Sequence, residues 1–199
     1  MKSLNEEIGR IKKVMGIKPK KKISLGYHDN LIEIFSEGVE GEEDDNKKSI
    51  RDNVIENFKN SDFIDDANEF YDSINKSDKH KEMLTDYTVE DFSKMKLFKL
   101  NGYDIGYALK KSSTGEYDEI VVIYNNSGVK NIGDYIIKSA INNGGCYLDH
   151  YGGYLSNFYE RHDFEEIERY EFDPQYDIEG KFESKYGKRP IIVRKHKNC

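Results

Sequence analysis

The sequence predicts an α/β domain of the α+β kind, built on a mixed sheet with helices on its faces. Three observations carry that prediction: helical periodicity from Ser49 to Ile74, a hairpin signal at Asn101-Gly102, and apolar strand-like runs alternating with amphipathic ones from Glu119 onward. At 199 residues, 36% hydrophobic and 13% aromatic, the chain can build the core of one domain with an appendage.

The elements follow in order. Ile50, Val54, Ile55 and Phe58 recur at helical spacing, as do Phe63, Ala67, Phe70, Tyr71 and Ile74, which predicts two helices. "TVEDFSKM" adds a short third, with Thr88 as cap and Asp91 as first-turn acid. "KLFKLNGYDIGYALK" reads as a hairpin with a two-residue turn at Asn101-Gly102, because Tyr103, Ile105, Tyr107 and Leu109 alternate beyond it. "EIVVIY" is apolar on both faces, as a central strand is. A polar stretch follows, and then Ile132, Ile136, Ile137, Ala140 and Ile141 mark a helix that "NNGG" ends. "CYLDHY" reads as a strand, "YLSNFYERH" as a helix, and "EEIERYEF" and "RPIIVRKH" as the last two strands.

Ahead of the domain, residues 1–48 read as a charged leader and linker, and 49–199 as the folded unit. Residues 1–22 carry eight basic side chains against Glu6 and Glu7, whereas 29–45 carry eight acidic ones and no lysine or arginine. Leu4, Ile8, Ile11 and Met15 share one face of a short amphipathic helix over 3–16. The two charge runs read as a solvated leader or as a docking peptide for a larger assembly.

Composition narrows the function classes. No run reaches the roughly 18 apolar residues of a membrane span, and the N-terminus lacks the apolar core of a signal peptide, so an intracellular protein is expected. The net charge of −7 argues against wholesale nucleic-acid binding. Cys146 and Cys199 suggest no framework of bridges, which fits a reducing compartment; Cys146 reads as strand packing or, paired with His150, as a nucleophile. Cys146, His150 and His162 do not fall at zinc spacings, so no metal site is expected.

"NNSGVKNIGDYIIKSA" followed by "LSNFYERHDFEEIERYEF", set in this element order, resembles the GNAT superfamily of N-acetyltransferases. A GNAT-like fold with a helical N-terminal part is therefore expected from Ser49 to His196. In that family a loop of pattern Arg/Gln-x-x-Gly-x-Gly/Ala follows the central strand and opens a helix whose main-chain N–H groups hold the pyrophosphate of acetyl-CoA. Gly128, Val129, Lys130, Asn131, Ile132 and Gly133 occupy those six places here. The last glycine matches, the first position lacks its Arg/Gln, and Asn131 stands for the middle glycine. The resemblance implies acetyl-CoA as cofactor, bound along Tyr124, Gly128–Gly133 and Asp134.

The family's late motif, Leu/Phe-Tyr-x-x-x-Gly-Phe, is similar to "FYERHDF", with Asp163 in place of glycine. Tyr159 then falls where the family often keeps its general acid, since a phenol can protonate a departing thiolate that a carboxylate would repel. Beside Leu155 and Phe158 it reads equally as core. Glu119, Asp149 and His150 are the candidate bases for the attacking amine. The run "NNSGVK…NGG…LD…NFY" resembles phage and prophage sequences, and the leader ahead of "FSEGVEGEE" is similar to the targeting leaders of proteins packaged in tailed-phage heads. These likenesses imply a phage-encoded N-acetyltransferase of the bacterial host cytoplasm, acting on an unidentified amine. The alternative they imply is a non-enzymatic virion or head-packaged protein on a degenerate GNAT-like fold.

Overall fold

The computed structural model describes residues 45–76, 87–112, 115, 118–174, 183–184 and 187–199. The helix expected over 3–16 and nearly all of the charged linker lie outside them. The element order is α1 (Asp45–Lys59), β1 (Phe63–Ile64), α2 (Ala67–Asn75), α3 (Val89–Phe92), β2 (Lys96–Leu100), β3 (Ile105–Lys111), β4 (Asp118–Asn125), α4 (Gly133–Asn142), β5 (Gly145–Tyr151), α5 (Tyr154–Arg161), β6 (Phe164–Tyr170) and β7 (Ile191–His196).

The strands form one mixed sheet of seven in the order β1-β2-β3-β4-β5-β7-β6. All neighbours are antiparallel except β4 and β5, which run parallel across the α4 crossover. Alternation in β3 sends Tyr107 and Leu109 to one face and Ala108 to the other, and two cores form accordingly. The first packs Val54 and Phe58 of α1, Ile136, Ile137 and Ala140 of α4, and Leu155 and Phe158 of α5 against Leu109, Ile120 and Leu148. The second packs Phe70, Ile74 and Phe92 of α2 and α3 against Leu97, Val122 and Tyr124.

Three expectations need correction. Phe63, read as helical, belongs to β1 and pairs with Leu100, because Asp66 caps α2 by accepting from the Glu69 N–H at 2.8 Å and so starts the helix only at Ala67. The hairpin turn is not two residues long; β3 resumes at Ile105. Asp104 is held out of the ladder by hydrogen bonds from Ser73 (2.9 Å) and Lys76 (2.8 Å), while the Tyr103 N–H donates to the Leu100 carbonyl. Cys146 and Cys199 are not separate thiols but a disulfide, since the chain turns back after β7 and brings the last residue beside β5. At α3, by contrast, Thr88 and Asp91 form the reciprocal capping box that their spacing suggested.

Candidate functional site

The site begins with a defect in pairing. Leu109 pairs with Ile120 and Ala108 with Val122, so Val121 is an extra residue that bulges β4 and bends it. On its other edge β4 pairs with β5 only at Asp118↔Gly145 and Glu119↔Tyr147. Beyond that point β4 continues alongside β3 to Asn125, and β5 alongside β7 to Tyr151, with no pairing between them. Two parallel strands in the middle of the sheet thus form a fork that opens toward their C-terminal ends. No ladder pairing joins its two inner edges beyond Glu119 and Tyr147.

The root of the fork is closed tightly. A Cβ on Gly145 would lie 2.6 Å from Ile120 Cγ1 and 2.9 Å from the Ala140 carbonyl oxygen, so β5 can approach β4 and α4 only with glycine there. Gly145→Ala is expected to lower stability by about 1–3 kcal/mol through overpacking, read as a reduced urea midpoint. Beside it the buried Asp118 carboxylate takes Lys96 at 2.8 Å and Lys111 at 2.7 Å. Burial works to raise its pKa, but the two lysines hold it below the usual carboxylate range.

Glu119 and Asp149 share the face opposite Ile120 and Leu148, at the height where the fork opens. Glu119 is 8% exposed, and desolvation, with some repulsion from Asp149, pushes its carboxyl up to about 7 against the pull of Lys110. Asp149 reaches solvent, yet the protein packed around it pushes its carboxyl up to about 6 by desolvation.

On the opposite face lies a buried polar cluster. Arg194 is 1% exposed and spends its donors on three elements: Nε–H to His150 Nε2 (2.8 Å), Nη1–H to the Phe164 carbonyl (3.0 Å) and Nη2–H to Glu160 (2.9 Å). Because guanidinium always donates, His150 Nε2 accepts, and Nδ1–H donates to the Tyr151 carbonyl at 2.7 Å. His150 is therefore a neutral imidazole with both nitrogens engaged, 1% exposed, and serves this cluster rather than offering a lone pair to a substrate. Tyr159 of α5 lies over it, ring centroids 5.1 Å apart, and is 3% exposed. Burial raises its phenol above the ordinary value and the Asp149 charge adds to this, so the hydroxyl keeps its proton.

The loop between β4 and α4 is tied down by its own side chains. The Asn125 amide donates to the Val129 carbonyl (2.6 Å), the Ser127 hydroxyl to Asn125 Oδ1 (2.7 Å), and the Asn126 amide to the Ser73 carbonyl (2.9 Å). Asn131 takes the left-handed backbone that its alignment with a glycine requires, at φ 58°, and Gly128 does so at φ 75°. The Ile132 N-cap brings no side-chain hydrogen bond to the first turn of α4, while the Tyr135 N–H of that turn donates to the Ile132 carbonyl at 3.0 Å. Asp134 in that turn is engaged by His162 Nε2 at 2.7 Å. Of the proposed cofactor residues, Gly128 and Lys130 are exposed, Val129 and Ile132 pack on the first core, and the Tyr124 side chain points away into the second core against Phe70.

Arg194 was not singled out by the sequence reading. The signal was present, since Ile192, Arg194 and His196 alternate inward along one strand and a buried arginine there demands partners. Among the described residues no group of three or more His, Cys, Asp or Glu is placed to hold a metal, and no helix is long and apolar enough to cross a membrane. No protein-family model, curated protein or solved structure matches this chain.

Proposed function

We propose that the chain is a GNAT-like N-acyltransferase that holds acetyl-CoA in the β4–β5 fork and transfers its acetyl group to an amine. The fork is the observation that carries this reading. A sheet that leaves two inner strand edges unpaired at its centre offers main-chain donors and acceptors to an extended, amide-bearing arm. The loop fits the other end of such a ligand: Gly128 and Asn131 in left-handed backbone, exposed Lys130, and the uncapped N-terminus of α4 suit a pyrophosphate. The thioester supplies the activated acetyl group.

The chain's own groups suit the remaining tasks. Glu119, ionising at about 7 and open to the fork, takes a proton from an incoming ammonium at neutral pH, with Asp149 beside it. Tyr159 keeps a proton to give to a departing thiolate. The test is release of CoA thiol against pH. Because a base must be deprotonated to act, kcat/KM is expected to rise with pH through about 7. Glu119→Gln is expected to abolish that limb and lower kcat/KM by about 10²–10⁴-fold. An unchanged pH profile in the variant would remove Glu119 from the mechanism.

A further inference from the structure

The Cys146–Cys199 bridge encloses one side of the fork. Cys146 is the second residue of β5 and Cys199 follows β7, so β5 from there on, α5, β6 and β7 all lie between the two cysteines. In the sheet β5, β7 and β6 are consecutive at one end. The three partners of Arg194 are inside the same loop, since His150, Glu160 and Phe164 belong to β5, α5 and β6. The residues after β7 add to the closure: the Lys197 N–H donates to the Asp163 carbonyl at 3.0 Å, and its ammonium to the Asp163 carboxylate at 3.1 Å. The bridge thus ties one half of the sheet to itself.

The other half, β1 to β4 with α1 to α4, lies outside the loop, and the fork is the seam between the two. Two ladder pairs cross that seam, Asp118↔Gly145 and Glu119↔Tyr147, and Cys146 stands between the two β5 residues that make them. Packing in the first core and the bond between His162 and Asp134 at 2.7 Å cross it as well. What the bridge adds is a limit on the opened chain, because linking residues 53 apart removes freedom that this half would gain on opening. A segment with its own hydrogen-bonded cluster and few ladder bonds to the rest opens as a unit.

The bridge is also within reach of reductants. Cys199 is exposed and Cys146 half-buried, and a disulfide near solvent exchanges with thiols far more readily than one sealed in a core. Both cysteines of the chain are in it.

We propose that Cys146–Cys199 is a redox-sensitive clasp on the fork, closed in the oxidised chain and opened by a dithiol reductant. A thiolate of the dithiol attacks the exposed Cys199 sulfur, the S–S bond breaks, and Cys146 departs as its thiolate. The second thiol of the reductant then attacks the mixed disulfide and releases Cys199. The dithiol leaves as a disulfide, and its two electrons and two protons end on the two cysteines. With the clasp open, the β5-β7-β6 half loosens against the β1–β4 half and the fork loses its fixed width. The consequence for acyl transfer rests on acetyl-CoA occupying the fork, whereas the loosening does not.

The experiment follows amide hydrogen exchange in the full chain when oxidised, when reduced with dithiothreitol, and as Cys199→Ser. Reduction is expected to speed exchange at least about tenfold in 147–170 and 191–196, while β2, β3 and α2 change by less than about threefold. Cys199→Ser is expected to match the reduced chain and to ignore dithiothreitol, and because Cys199 is exposed the replacement leaves the core packing in place. No acceleration, equal acceleration in both halves, or a Cys199→Ser chain that still responds to dithiothreitol overturns the proposal. Acetyl-CoA titrated into both redox states reads the consequence, expected as at least about fivefold weaker binding after reduction. Equal affinity in the two states overturns control of the site. Absence of binding in either state removes the acyl-transfer reading, and the exchange result then decides the clasp by itself.

Discussion

An Arg194→Leu chain is expected to lose about 3–5 kcal/mol of stability, seen as a much lower urea midpoint. The guanidinium is 1% exposed and its three bonds join β7 to β5, α5 and the start of β6. Removing it leaves His150 Nε2 and the Phe164 carbonyl buried without their donor, and each orphaned polar group costs about 1–3 kcal/mol. Glu160 suffers less, because its side chain is 59% exposed and water replaces the lost partner. Arg194→Lys keeps the charge but offers a point donor instead of a planar fork, so it is expected to fall between the two. A loss below about 1 kcal/mol for the leucine variant would mean that the cluster contributes little beyond its packing.

Tyr159→Phe is the second large effect, and it acts on rate instead of stability. The ring packs against His150, Phe158 and Phe164, and phenylalanine preserves those contacts. Only the hydroxyl is lost. If it donates the proton to the leaving thiolate, acetyl transfer is expected to slow by about 10²–10⁴-fold while stability changes by no more than about 1 kcal/mol. A variant as fast as the wild type would leave Tyr159 as a core residue alone.

What the sequence reveals here depends on how far apart the interacting residues are. The helices from Ile50, from Ala67 and from Gly133 follow from apolar spacing within a few turns, and so do the long strands. Strand β1 is hidden because two residues give no alternation, and Phe63 fits the helical spacing of Ala67 and Phe70 by accident. The left-handed Asn131 is legible, since its side chain type tolerates that backbone. The fork is not, because it consists of pairing that fails to occur between residues 120–125 and 148–151, and no local pattern encodes a missing ladder. Glu119 and Asp149 could be named as acids in strands, but their common face appears only when β4 and β5 lie side by side. The Cys146–Cys199 bridge spans 53 residues of sequence, and its spacing alone gives no hint of it.

The central claim, that the β4–β5 fork and the Gly128–Asp134 loop hold acetyl-CoA, is tested most directly by titration calorimetry of acetyl-CoA into the full chain, with Lys130→Glu alongside. The account predicts one molecule bound per chain with a dissociation constant below about 1 mM, and affinity weakened about tenfold in the variant, whose exposed side chain then repels the phosphates. Absence of binding to the wild type at millimolar acetyl-CoA would contradict it and leave the fork as part of a non-enzymatic scaffold.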